Sequence, residues 1–233
     1  MRLLTVPALA VLLLSGLLAA PAGAATVRLG GVPVRLEAGT TQVVTVHRTR
    51  GHHARVSLWV LSRGPERRWV RRASTADGRI GYGGLSREGE RRQGDGTTPL
   101  GTYDLPSAFG THPRSAAWDL PYHRIRKGDY WVGDNASPYY NQLRHRSRGG
   151  FRWWLPASHE DASERLLDYR RQYEYALVTG FNAEQVRRRG FAIFLHVNGR
   201  GATAGCVSVP RSFMRMLMAR LDPERRPVIA IGR

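Results

Sequence analysis

Short segments of alternating or β-branched residues, separated by glycines and turns, fill much of the chain and limit it to folds rich in β-strand. Between positions 26 and 61 they read TVRL, VPVRL, TQVVTVH and RVSLWVL, and WVRRAS, YEYALVTGFN, GFAIFLHV and PVIAIG follow later. Alternation of this kind is typical of strands with one buried face. With 26 glycines among 233 residues, the pattern predicts a mainly β domain with a few helices, an α+β fold.

Two segments have helical rather than strand periodicity. In RSFMRMLMARL, apolar residues recur at helical spacing directly after Pro210, which predicts a helix over residues 211–221 with its methionines in the core. Ser158 and Asp161 form a short capping pattern before ASERLLDYRRQ. This pattern predicts a second helix over residues 162–172.

The first 25 residues have the composition of an export signal. A positively charged start leads into an apolar stretch, and the small residues AGA at 22–24 then fit a cleavage site. We therefore expect residues 1–25 to be a signal peptide, 26–40 an N-terminal extension and 41–233 one catalytic domain, secreted and extracytoplasmic. An uncleaved membrane anchor is the alternative, although the apolar stretch is short for a span.

The charge of the chain is strongly positive. The formal net charge is +18, and Lys127 is the only lysine among the 36 basic side chains. An exported basic protein seldom meets nucleic acid, but anionic wall polymers and lipid headgroups attract it over long distances at low salt. The composition favours cell-wall association with these two partners and no nucleic acid, and a merely soluble basic surface is the other interpretation.

Cys206 is the only cysteine, so the chain cannot form an internal disulfide. It follows Gly205 and lies ten positions after His196, which ends an oily predicted strand. A nearby imidazole can take the proton of a thiol and leave a nucleophile. The backbone N–H groups of Ala204, Gly205 and Cys206 could then face the oxyanion of an attacked carbonyl. The arrangement predicts acyl transfer, with a buried inert cysteine as the alternative.

Three parts of the chain resemble the exported L,D-transpeptidase family, whose catalytic domain is of the YkuD type. IFLHVNGRGATAGCVSVP resembles the family's His…Gly-Cys signature in the subgroup that reads Thr-Ala-Gly-Cys, and GDGTTPLGTYDL resembles its glycine-rich Thr-Pro loop. YWVGDNASPYYNQL and YEYALVTGFN resemble further segments of that subgroup. The resemblance covers roughly residues 40–233. It implies a YkuD-like β-fold, with Cys206 as nucleophile, His196 as general base, and Gly205, Cys206 and Ala204 as oxyanion donors.

The resemblance also implies a reaction. Cys206 would attack a peptidoglycan stem peptide to form a thioester, and an amine of a neighbouring stem would resolve it into a cross-link without any metal or organic cofactor. Resolution by water instead would give an L,D-carboxypeptidase, and a non-catalytic wall-binding module stays open as a different class. Many family members have a second histidine where this chain has Ala204, so efficiency and substrate choice are left open.

Several further residues are candidates for substrate binding. Arg200 and Thr203 lie in the loop between His196 and Cys206, and a guanidinium binds carboxylates in a bidentate manner. Packing or a solvated loop position is the alternative for each candidate. The histidines elsewhere lack ligand-like spacing, so the sequence predicts no metal site. The remaining candidates lie in the aromatic-rich segments: Tyr122, Trp131, Asp134, Tyr140 and Asn141.

Overall fold

The computed structural model describes residues 25–233. The predicted export signal lies outside the described residues except for Ala25, which begins the first strand. The described part of the chain contains sixteen strands and one α-helix, in the order β1 (Ala25–Leu29), β2 (Val32–Leu36), β3 (Gln42–Arg48), β4 (His53–Leu61), β5 (Trp69–Arg79), β6 (Leu85–Arg87), β7 (Thr98–Asp104), β8 (Ser107–Gly110), β9 (Tyr122–Arg124), β10 (Asp129–Trp131), β11 (Leu143–His145), β12 (Glu164–Arg165), β13 (Tyr175–Val178), β14 (Phe194–Val197), β15 (Val207–Val209), α1 (Arg211–Met218) and β16 (Val228–Gly232).

Eleven of these strands form one sheet in the order β6-β7-β16-β3-β4-β5-β15-β14-β13-β8-β9, and β10 pairs separately with β11 and β12. Only one bridge, between Ser208 and Arg79, joins β15 to β5. The main hydrophobic core combines side chains of β3 and β4 with side chains of β13, β14, β15 and α1, so both halves of the sheet pack on one core. The prediction of a mainly β fold is confirmed.

The predicted N-terminal extension, residues 26–40, contains an antiparallel hairpin of β1 with β2. Its apolar side chains alternate with exposed ones, so that Leu29, Val32 and Val34 are buried while their neighbours face solvent. These side chains pack against Val43 and against β16 of the main sheet. The hairpin therefore contributes apolar burial to the domain edge.

The predicted C-terminal helix is confirmed as α1, which ends three residues before the predicted boundary. Pro210 stands at its N-cap, where a missing N–H costs nothing because the first turn has no intrahelical acceptor for it. Phe213, Met214 and Leu217 are buried in the main core. No helix within residues 25–233 has the length and apolar character needed to cross a bilayer.

The helix predicted over residues 162–172 is wrong. Glu164 and Arg165 form the short strand β12, which pairs with Trp131 and Tyr130 of β10. A 3₁₀ turn follows at Leu166–Tyr169, with Leu166 fully buried. Strand pairing with a distant segment and burial of one leucine outweigh a local helix preference that amounts to a few tenths of a kcal/mol per residue.

Candidate active site

The parallel pair β14–β15 brings Cys206 and His196 to one face of the sheet. His196 lies opposite Ser208, and Cys206 stands two residues before Ser208, immediately before β15 begins. Because side chains alternate along a strand, Cys206, Ser208 and His196 project from the same face. Strand spacing and rise put the Cα atoms of Cys206 and His196 about 8 Å apart. Within residues 25–233 the thiol hydrogen-bonds to the backbone of Ala192 and Phe194 and not to His196, so the pair shares one face without a direct hydrogen bond.

Both residues line a cleft of about 470 Å³. A chain segment from each side closes it, since the loop of residues 199–204 forms one rim and the segment 190–193 another. The cleft is also the place where several charged and phenolic side chains converge. Besides Cys206 and His196 these are Arg91, Glu164, Tyr169, Tyr173 and Arg200.

The Cys206 thiol lies in an apolar pocket at the base of the cleft. Only 9 % of the residue is exposed, and it packs within a cluster that includes Phe194, Tyr173 and Ala192. The S–H donates to the carbonyl oxygen of Ala192 at 3.2 Å, and Sγ accepts from the N–H of Phe194 at 3.4 Å. Burial raises the pKa of the Cys206 thiol to about 12, and the nearby Glu164 carboxylate adds to the rise. The resting thiol is therefore protonated.

His196 is a buried, neutral imidazole. Its Nδ1 lies 2.8 Å from the carbonyl oxygen of Val197, which can only accept, so Nδ1 carries the proton. The other nitrogen, Nε2, is then left with a free lone pair, as a general base requires. Burial lowers the pKa of His196 to about 4, while the hydrogen bond to Val197 opposes this shift. At neutral pH the thiol and the imidazole both stand uncharged, in contrast to a thiolate–imidazolium pair.

Hydrogen bonds hold the loop before Cys206 in place. The Thr203 hydroxyl donates to the carbonyl oxygen of Cys206 at 2.5 Å and accepts from the N–H of Gly205 at 3.2 Å. Thr98 donates to the carbonyl oxygen of Gly205 at 2.7 Å. The Gly205 N–H, a predicted oxyanion donor, is thus already engaged. No hydrogen bond within residues 25–233 uses the N–H of Ala204 or Cys206, so these two predicted donors remain free.

Glu164 and Tyr173 form a hydrogen-bonded pair in the cleft that sequence reasoning missed. The Tyr173 hydroxyl donates to Oε1 of Glu164, and its ring packs edge-on against His196 with centroids 5.4 Å apart. Burial raises the pKa of Glu164 to about 7, although the hydrogen bond from Tyr173 opposes the rise. The carboxyl group therefore changes charge near neutral pH beside the thiol. Glu164 sits in a segment predicted to be helical, where nothing in the pattern marked it as functional.

Asn141 lies behind the cleft and orders the backbone that contacts the thiol. Its Oδ1 accepts from the N–H of Ala192 at 3.0 Å and from Trp131 Nε1 at 2.8 Å. Ala192 adopts a φ of +55°, a left-handed conformation that is uncommon for a residue with a side chain. This conformation presents the Ala192 carbonyl to Cys206. Backbone strain of this kind persists where the surrounding contacts fix it.

The structure places the predicted substrate-binding residues in two groups. Arg200 and Thr203 line the cleft. The five predicted residues of the aromatic-rich segments do not line it, because their polar atoms are used in holding loops together. Tyr140 donates to Gln93, for example, and Asp134 pairs with Arg152. The residues outside the cleft lining are Tyr122, Trp131, Asp134, Tyr140 and Asn141.

Among residues 25–233, no group of three or more histidine, cysteine, aspartate or glutamate side chains is arranged to hold a metal ion. The donors in the cleft are one thiol, one imidazole and one carboxyl group, which is engaged by Tyr173. The arrangement suits chemistry by a nucleophile and a base.

The fold and the cleft together define a β-sheet domain with a cysteine and a histidine on adjacent parallel strands. Residues 43–229 match the family of L,D-transpeptidase catalytic domains known as YkuD, and the chain belongs to this family. Its members act on peptidoglycan stem peptides. Comparison with curated proteins and with solved structures found no match. The family resemblance predicted from the sequence is confirmed.

Proposed function

We propose that the protein is an exported L,D-transpeptidase that cross-links peptidoglycan stem peptides through a thioester on Cys206. The observation that carries the proposal is the position of Cys206 and His196 on one face of adjacent parallel strands, at the base of one cleft. Membership of the family supplies the substrate class.

The first half-reaction forms the thioester. As the stem carbonyl approaches Cys206, Nε2 of His196 takes the thiol proton and sulfur attacks the carbonyl carbon. The oxyanion accepts from the free N–H groups of Ala204 and Cys206. The imidazolium then gives its proton to the departing amine of the terminal D-residue. Thiolate forms only during attack, because the buried cleft raises the thiol pKa and lowers the imidazole pKa.

The second half-reaction consumes the thioester. The neutral imidazole of His196 takes a proton from the incoming amine of a second stem, which attacks the thioester carbon and displaces the Cys206 sulfur as thiolate. The imidazolium then returns its proton to the sulfur and restores the thiol. The new bond is the cross-link. Water in place of the amine would release the shortened stem, which is the carboxypeptidase reaction.

The proposed location is outside the cytoplasm and in contact with the wall. The support is the export-signal composition of residues 1–25 together with a formal net charge of +18. Anionic wall polymers and lipid headgroups are the proposed surface partners, since a strongly basic protein is attracted to both.

Mass spectrometry of intact protein tests the mechanism. We expect a carbapenem to add once to each molecule of a protein that comprises residues 26–233. The same protein with Cys206→Ala should remain unmodified. Incubation with a disaccharide tetrapeptide then compares cross-linked dimers with free tripeptide. Predominant dimers support the transpeptidase, and tripeptide alone would reassign the protein as a carboxypeptidase. Absence of both the adduct and turnover in folded protein would leave a non-catalytic wall-binding module.

A further inference from the structure

Arg91 buries a positive charge in the wall of the cleft without a direct ion pair. Only 3 % of the residue is exposed. Within residues 25–233, no Asp or Glu carboxylate lies within ion-pair distance of its guanidinium. Arginine keeps its proton even when buried, so the charge is retained. Asp95 is close enough to favour the charge electrostatically, but a buried cation without a direct ion pair is still costly, which makes its position informative.

The three donor nitrogens of Arg91 have different surroundings. Nε donates to the carbonyl oxygen of Thr97 at 3.0 Å, and Nη1 donates to that of Arg189 at 3.0 Å. These two bonds explain how the side chain is held. Nη2 has no hydrogen-bond partner within the described residues, and it is not sealed from solvent. The open donor therefore belongs to a residue that lines the cleft.

Two glycines make room for this guanidinium. Gly205 has a φ of +136°, and a Cβ there would lie 2.9 Å from Nη2 of Arg91. Gly190 has a φ of +110°, and a Cβ there would lie 1.4 Å from Nη1. Both positions combine a backbone conformation that favours glycine with a close approach of the guanidinium, and at Gly205 the carbonyl oxygen of Thr97 would lie equally close to a Cβ, at 2.9 Å. The backbone on two sides of the cleft is thus shaped around Arg91.

We propose that Arg91 binds the terminal carboxylate of the donor stem peptide and so selects stems that end in a free D-residue. The inference rests on the proposed function. Nη2 lies beside Gly205, directly before the nucleophile. The carboxylate of the departing residue begins one residue beyond the attacked carbonyl, about 3.8 Å further along the chain. A desolvated guanidinium recognises a carboxylate strongly and with directional preference. Arg91 is a specificity residue in this arrangement, and Cys206 remains the nucleophile.

Alkylation of the single thiol tests the carboxylate site without any turnover. Iodoacetate and iodoacetamide react with thiolate in the same way, but only iodoacetate carries a carboxylate. For each thiol we take the rate constant for iodoacetate divided by that for iodoacetamide. We expect this ratio to be about 10-fold or more higher for the wild-type protein than for free cysteine. Arg91→Gln should return this ratio to about the value for free cysteine. Arg92→Gln removes the same charge from an exposed neighbour and should leave the ratio high.

A wild-type ratio no higher than that of free cysteine, or a ratio unchanged by Arg91→Gln, would overturn the proposal. Should Arg91→Gln fail to fold, the wild type alone gives the answer. N-acetyl-D-alanine should then slow alkylation by iodoacetamide, and N-acetyl-D-alaninamide at the same concentration should not. Equal protection by both compounds would also overturn the proposal.

Turnover separates this inference from the proposed function. We expect the wild type to prefer a tetrapeptide ending in D-alanine over one ending in D-alaninamide by about 10-fold to 100-fold in kcat/KM. Arg91→Gln should abolish the preference while retaining turnover of the amide. Equal turnover of both by the wild type would overturn the carboxylate site and leave the transpeptidase standing. A preference for iodoacetate without turnover of either peptide would support the carboxylate site and overturn the transpeptidase.

Discussion

The two faces of the β14–β15 pair are buried to a similar extent and differ in their chemistry. On one face Leu195, Val197 and Val207 pack in the main core among aliphatic side chains. On the other face His196 and Cys206 are almost as deeply buried, with 6 % and 9 % exposed. Alternation along two short strands therefore places a sealed core and a reactive pair back to back.

Burial has different consequences for aliphatic and for ionisable side chains. For the aliphatic face, removal from water contributes stability of about 1.5–3 kcal/mol per large side chain. For the polar face, removal from water instead discharges both groups, because it raises the pKa of Cys206 to about 12 and lowers that of His196 to about 4. One face thus supports the fold, and the other holds both groups in their uncharged forms.

The strongest test of this division is removal of the base. We expect His196→Gln to lower the rate constant of carbapenem acylation by about 10²-fold to 10⁴-fold, because the attacking thiol loses its proton acceptor. Intact-protein mass spectrometry over time gives the rate constant, and circular dichroism checks that the variant is folded. Acylation at the wild-type rate by a folded variant would remove His196 from the mechanism.

The opposite face should respond in stability rather than in rate. Leu195→Ala leaves a cavity in the main core, and we expect the free energy of unfolding to fall by about 2–5 kcal/mol. Urea denaturation measures the change. Acylation of the folded variant, measured well below its melting temperature, should stay near the wild-type rate. Loss of acylation without loss of stability would break the division between the faces.

Removing a side chain that supports the face carrying His196 and Cys206 should have an intermediate effect on the acylation rate. Asn141→Ala frees the Ala192 backbone that accepts from the thiol, and we expect acylation to slow by about 10-fold through misplacement of Cys206. Asn135→Ala is the matched control, since Asn135 bonds to Asp161 and does not line the cleft. Equal slowing in the two variants would indicate a general loss of packing.

The smallest expected effect concerns the charge of Glu164. Its folded-state pKa of about 7 lies above the ordinary value of 4.5, so its stabilising contribution is complete below pH 4.5 and is lost as pH rises through 7. Glu164→Gln keeps the shape without ionising. We therefore expect its melting temperature to exceed the wild type's by about 4 °C at alkaline pH, and by little in acid. Differential scanning calorimetry across pH makes the comparison, and a pH-independent difference would contradict it.

Local patterns predicted the strands and α1, because period-two and helical spacing depend only on neighbouring residues. Cys206 and His196 could likewise be proposed from one short segment. The helix over residues 162–172 failed since pairing of β12 with β10 depends on residues more than thirty positions away. Arg91 gave no signal either. It is one basic side chain among 36, and its site exists only when two distant glycines close around it.

The contact between Arg91 and the two glycines also constrains how positions 91, 190 and 205 can vary among related sequences. A side chain acquired at Gly190 or Gly205 would have to displace Arg91, in addition to the strain that the positive φ at both positions imposes on any residue other than glycine. Relatives of this chain that keep Arg91 should therefore keep glycine at both positions. A related sequence with arginine at position 91 and alanine at position 205 would have to hold the guanidinium in a different position.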